Sequence, residues 1–347
     1  MRARFRQAGT ETFRALKVRN FRLFFTGQLL SASGSWMQRI ALALIILSPT
    51  LHGNGFDVGV EMALEFLPMT LFGTLGGVVA DRVDKRKLII VSQSGAGLTA
   101  LVLALLTGFG AITLWEVFLL AFLLGICTVF TNPARQAFVT EMVGRELLPN
   151  AVTLNGVLMN SARVIGPAIA GVLVYAVGFS ACFYVNAASY VAVVAALSLM
   201  RASELNRTGH VARARGQVRE GLRYAWSTPQ IRRPLIAMAI VGMLTYNFST
   251  TLPLLSEFTY HGGAGTYSIF TAAMGMGAVV GGLFIARRSR PSTGLLGVIG
   301  VGFGVAVAFV ALLPIESLTV VALVVMGAFS IAFVATANAT LQLSSDP

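Results

Sequence analysis

The sequence predicts an all-α, polytopic membrane protein, on three observations. Hydrophobic residues fill 56% of the 347 positions and charged residues only 12%, whereas a soluble domain needs about a quarter of its residues charged to cover its surface. The apolar residues gather into ten runs, each near the ~20 residues that cross a hydrocarbon core. Lysine and arginine collect in every second connection between those runs. A mean hydropathy of +0.77 excludes a soluble domain.

In chain order the spans are expected at about 22–47, 58–80, 88–108, 114–133, 151–177, 179–200, 234–256, 266–286, 293–313 and 318–340, with ends set to within ~2–4 residues. The opening MRARFRQAGTETFRALKVRNFR is a basic arm. The apolar segment behind it is too long for a signal-peptide core and further spans follow, so it reads as a retained first helix. The chain then divides into a six-helix half at 1–200, a basic linker at 201–233 and a four-helix half at 234–347. Cys127 and Cys182 lie inside apolar runs without a CxxC partner, and His52, His210 and His261 fall in separate loops. Neither a disulfide framework nor a metal site is expected, and no cofactor.

Basic residues set the expected orientation. With the amino terminus inside, seven precede the first span, four lie in 81–87, two near 135–145, eight in 201–233 and three at 287–290. That places 24 of the 26 lysines and arginines on the cytoplasmic side, leaving Arg39 and Arg163 within spans. Positive residues are retained on that side during insertion. The formal charge of +12 therefore reflects orientation and contact of the linker with anionic lipid headgroups; no nucleic-acid partner is expected.

Residues 77–87, GVVADRVDKRK, form a short charged loop between two spans. Gly77, Asp81, Arg82, Lys85 and Arg86 match a G-x-x-x-D-R-x-G-R/K-R/K pattern, with Asp84 where the pattern has its second glycine. This loop resembles the signature of the major facilitator superfamily of transporters, in its expected second hairpin. LGGVVADRVDKRK at 75–87 also lines up with VGGLFIARRSRPS at 280–292, a shift of 205 residues in which Ala286 takes the place of Asp81. Two same-orientation repeats are what the two halves of that superfamily carry. NFRLFFTGQLLSASGSWMQRIA at 20–41, NPARQAFVTEMV at 132–143 and NAVTLNGVLMNSARVIGPAIAG at 150–171 resemble bacterial exporters of the enterobactin-exporter and macrolide-efflux type. GPAIAG resembles the G-P-x-x-G motif of drug:proton antiporters, and Gly166 with Ala170 and Pro167 with Gly171 offer small faces for close helix packing.

Polar residues inside spans mark the candidate cavity. Gln28, Ser31, Ser35 and Gln38 recur at steps of three, four and three, one stripe of a helix, with Arg39 beside it. Gly156, Asn160, Arg163 and Pro167 form a second face, and Tyr246 and Asn247 stand in TYNFSTT at 245–251. Lipid penalises such faces, so they should point into the bundle; a satisfied interhelical hydrogen bond is the alternative role for each Ser, Thr or Asn. Intramembrane charges are expensive and usually paired or functional. Counting from the outer face, Arg39 and Glu65 both lie ~10–14 Å deep and are expected to pair. Arg163 should sit near the midplane without an acidic partner at its level, and Glu61 close enough to the outer interface to be solvated.

The resemblance implies proton-coupled efflux of an amphipathic drug or siderophore by alternating access, in a monomer of the bacterial inner membrane. Glu65 and Arg39 are the expected proton-coupling pair, with a permanent ion pair that locks the two helices as the alternative. The partners expected are the bilayer, a small-molecule substrate and protons. No catalytic constellation and no P-loop ending GK[ST] appears; an enzyme is not expected, and a non-transporting adaptor or sensor is the rival class. Four spans follow the linker where a duplicated architecture needs six, so an incomplete, poorly active transporter is expected. Gly277 and Gly281 would then be left facing lipid and Asp81 without its partner at an eleventh helix.

Overall fold

The computed structural model describes residues 13–206, 223–286 and 293–344. The first part of the basic arm, His210 with half of the linker's arginines, and Arg287, Arg288 and Arg290 of the second repeat lie outside these residues. The fold is all-helical, and nine helices among the described residues are long and apolar enough to cross a membrane. The span expected at 266–286 is also helical, over Gly263–Ala286. Residues group into two compact units, 1–210 and 211–347.

In the first unit a 3₁₀ turn at Arg14–Lys17 leads into α1, Arg19–Leu47. α1 is largely buried, its polar Gln28, Ser31 and Gln38 included, and packs against the helices of residues 114–176 and 179–198. α2, Gly55–Arg82, starts on a capping box: Asn54 Oδ1 accepts the amide of Phe56 at 2.8 Å and Asp57 returns a carboxylate to the amide of Asn54 at 2.8 Å. α3, Lys85–Gly108, is capped by Asp84, which accepts the amide of Lys87 at 3.1 Å. α4, Leu114–Gly144, and α5, Glu146–Ala176, run on in the chain with Gly144 at φ 72° turning between them. α6, Phe179–Ser198, follows a turn at Gly178 with φ 100°. Asn20 bonds both backbone groups of Arg201, tying the exit of α6 to the start of α1.

α4 reaches eleven residues beyond the expected end at 133. Pro133 and the charges of NPARQAFVTEMVGRE lower the hydropathy, but Ala134, Phe138, Val139 and Met142 are buried against Phe21, Phe24, Ile89 and Leu197. Packing, rather than lipid, holds this turn of helix. Pro133 has no N–H to offer Val129, and Gly76 of α2 lies against that carbonyl, where a methyl group would collide. The small side of α2 therefore covers a polar atom that would otherwise face hydrocarbon.

The second unit holds α7 over Pro229–Thr259, α8 over Gly263–Ala286, α9 over Thr293–Leu312 and α10 over Glu316–Ser344. α7 breaks at Tyr246–Asn247 and ends in a π turn at Leu255–Thr259. Gly277 and Gly281 do not face lipid as expected. A methyl on either would strike the carbonyl of Val324 or Ala328 in α10, and Gly327 meets Met274 of α8 in the same way. The small stripe serves the α8–α10 contact, which sequence pattern alone could not assign to a partner. Tyr260 links this pair to the α9–α10 turn through Leu313 O and Thr319 Oγ1, each at 2.6 Å.

Candidate functional site

Within the first unit α1, α2 and α4 frame a cleft of about 230 Å³, and α3, α5 and α6 complete its wall. α1 contributes Gln28, Ser31, Ser35, Trp36 and Arg39; α2 contributes Glu65, Phe66 and Met69. Five of the six cavity and charge-pair residues predicted from α1 and α2, namely Gln28, Ser31, Ser35, Arg39 and Glu65, thus line this cleft. Gln38 lines a smaller adjoining cavity of about 100 Å³ and accepts the Asn186 amide of α6 at 2.7 Å. Ser35 Oγ donates to Ser31 O at 2.9 Å and meets the Tyr190 hydroxyl at 3.2 Å.

Arg39 Nη2 donates to Glu65 Oε1, and the two side chains are 23% and 9% exposed. Two features place the carboxylate there. Pro68 interrupts α2 three residues on, and Gly125 of α4 lets α2 approach so closely that a methyl would strike Glu65 O and Pro68. Arg39 also lies over Trp36 at 5.1 Å and Phe66 at 5.7 Å, so aromatic faces supplement the carboxylate. Arg163, expected at the midplane without an acidic partner, stacks on the same Trp36 ring at 5.1 Å. One indole thus carries two guanidinium contacts.

Glu61 corrects the expectation of a solvated carboxylate. It is 1% exposed, one turn before Glu65, and its Oε1 has no hydrogen-bond partner among the described residues. Position along one helix does not reveal which groups cover a residue, and Glu61 is covered. Arg135 is a second correction. It was expected in a cytoplasmic loop, yet it lies in α4 and lines the cleft, donating from Nη1 to Gln28 Oε1 at 3.3 Å. With Gln93, Thr128, Thr131, Asn132 and Tyr190 it was missed. Thr128, Thr131 or Asn132, and Arg135 repeat at helical spacing on α4, a signal cut short by ending the span at 133.

Other predicted residues lie elsewhere. Asn160 donates to Gly156 O of its own helix at 3.0 Å and is exposed; it does not line the cleft. Gly166 packs on α1, where a methyl would lie 2.6 Å from Ser33 O and Trp36 Cβ. In the second unit Tyr246 donates to Ser330 O at 2.8 Å and packs edge-on against Phe303, while Asn247 donates to Met243 O at 3.1 Å. Both satisfy the broken α7 from within that unit.

The signature loop forms a clamp. Lys85 Nζ bonds Glu141 Oε1 of α4 at 2.7 Å in a nearly buried pair, 13% and 9% exposed. Arg86 donates to Leu197 O at 2.7 Å and Ser198 O at 2.8 Å, closing the end of α6. Asp81 and Arg82 are exposed, and Gly77, unlike Gly76, faces open space. No group of three or more His, Cys, Asp or Glu suited to a metal occurs among the described residues.

The chain is 25% identical over 266 residues to the staphyloferrin A transporter of Staphylococcus aureus, covering 76% of this chain and 66% of that protein. It is 24% identical over 278 residues to macrolide efflux protein A of Streptococcus pyogenes, covering 78% and 67%. A third relative, the uncharacterized MFS-type transporter YfiS of Bacillus subtilis, is 24% identical over 67% of this chain; the chain spans 55% of its length. Among solved structures, a bacterial homolog of the human lysosomal transporter Spinster, inward-facing and unoccupied, superposes with a TM-score of 0.72 at 14% identity, over 92% of this chain and 75% of that one. These relatives are transporters, not enzymes, and the fold is theirs. The model of the transmembrane secretion effector family matches residues 10–347, and the chain belongs to that family of MFS-type, multi-pass membrane transporters.

Proposed function

We propose that the protein exports an amphipathic organic compound, a drug or siderophore, in exchange for protons by alternating access. One observation carries this reading: a cleft of mixed polar and apolar lining that holds a largely buried Arg39–Glu65 pair inside an apolar helical bundle. A bundle that only anchors or signals has no use for such a cleft, and intramembrane charges are costly enough to mark a pathway. Relatives named for siderophore transport and macrolide efflux support the substrate class.

In this reading Gln28, Ser31, Ser35 and Gln38 form one wall of the substrate path, and Asn160, Arg163, Tyr246 and Asn247 contribute as the bundle changes state. Glu65 takes up a proton when its bond to Arg39 opens and releases it when the bond reforms. Gly77, Asp81, Arg82, Lys85 and Arg86 gate the cytoplasmic side. The protein acts as a monomer in the plasma membrane with its amino terminus inside, as the basic residues require. Expression in a bacterial strain stripped of its own efflux pumps tests it. Resistance to one class in a panel of drugs and siderophores, abolished by a protonophore, is expected; an unchanged profile across the panel would contradict it.

A further inference from the structure

The inner part of the cleft carries donors without matching acceptors. Arg135 can only donate, so it must face the oxygen of Gln28; the distance is 3.3 Å. Its other recorded contact there is the weak acceptor Met159 Sδ at 3.9 Å. Gln28 is 3% exposed, and with its oxygen committed its Nε2 is left buried without a partner among the described residues. The charges agree. Glu65 is bound to Arg39, which leaves Arg135 as a surplus positive charge in the lining. A guanidinium and an amide N–H₂ that converge beside a cavity, both short of acceptors, fit a carboxylate.

We propose that Arg135 and Gln28 bind a carboxylate group of the transported compound, whose apolar body lies toward Trp36, Phe66 and Met69. The substrate is then an organic anion. This rests on the reading of the cleft as a substrate site, but its test needs no transport. A phosphate group of an anionic lipid has related chemistry and is separated from the substrate in the test.

The probes are 4-nitrobenzoate and its neutral counterpart 4-nitrobenzamide, which quench tryptophan. Trp115 and Trp226 are 71% and 63% exposed, so W115F/W226F leaves Trp36, on the cleft wall, as the reporter. In the purified 347-residue chain, 4-nitrobenzoate should quench Trp36 saturably and bind at least ~10-fold tighter than the amide. Arg135→Gln and Gln28→Leu should each remove that preference. Arg135→Lys, which keeps the charge, should retain part of it and shows that loss is not misfolding. Equal binding of both probes, or a preference that survives Arg135→Gln, overturns the proposal. Displacement of 4-nitrobenzoate by phosphatidylglycerol added to the micelles, matched by inorganic phosphate, assigns the site to lipid and overturns it too. Transport of cations or neutral compounds alone would overturn this inference while leaving the transporter reading intact.

Discussion

Two carboxyls and one guanidinium meet on neighbouring turns of α1 and α2, and the two carboxyls are not equivalent. Glu65 has Arg39; Glu61, one turn away, is more buried and has an oxygen without a partner. A buried polar atom left unsatisfied costs about 1–3 kcal/mol. Glu61→Met, similar in volume and without charge, is therefore expected to raise the thermal midpoint of the purified protein in detergent. A lowered midpoint would show that Glu61 is held by contacts other than those described. The pairing of Arg39 with Glu65 was legible because both are charges inside apolar runs and their depths match. The burial of Glu61 was not, since depth along one helix says nothing of which neighbours cover it. Arg135 was hidden for a different reason: hydropathy reads an arginine as the end of a span even where the helix continues.

At the scale of elements, glycine and proline set the distances between helices. Pro133 frees the Val129 carbonyl and Gly76 covers it; Gly125 seats α4 against α2 at Glu65; Gly166 seats α5 on α1. Sequence marks such residues as small but names no partner: Gly277 and Gly281 were expected to serve an eleventh and twelfth span, and pack instead on α10. The signature loop shows the same limit. Its residues were recognisable, but Lys85 clasps Glu141, a residue 56 positions away, and Arg86 closes α6. Breaking a nearly buried ion pair by removing one partner costs about 3 kcal/mol, whereas replacing both with apolar residues is often neutral. Lys85→Met alone should lower the thermal midpoint, and Lys85→Met with Glu141→Met should restore it. If the double variant is no more stable than the single, the pair does not hold α3 to α4.

At the scale of the molecule, the internal repeat has a structural counterpart. Gly76 and Gly281 stand 205 residues apart, and each lies against a backbone carbonyl of the helix two further along, α4 in the first unit and α10 in the second. The duplication was legible from glycines and arginines, and these contacts supply the reason the glycines are needed in both copies. Orientation rests on charge alone. In a variant lacking Cys127 and Cys182, a cysteine at His52 should react with an impermeant thiol reagent on intact cells, and one at Glu204 should not. The reverse pattern would invert the topology.

The central claim is that Glu65 couples the cleft to protons. Proteoliposomes with an imposed pH gradient and a compound identified in the efflux panel test it most directly, comparing wild type with Glu65→Gln. The substitution keeps the shape of the side chain and removes its titration. Gradient-driven accumulation is expected in the wild type, and a loss of at least roughly tenfold in Glu65→Gln with compound binding retained. Undiminished gradient-driven transport by Glu65→Gln would contradict it.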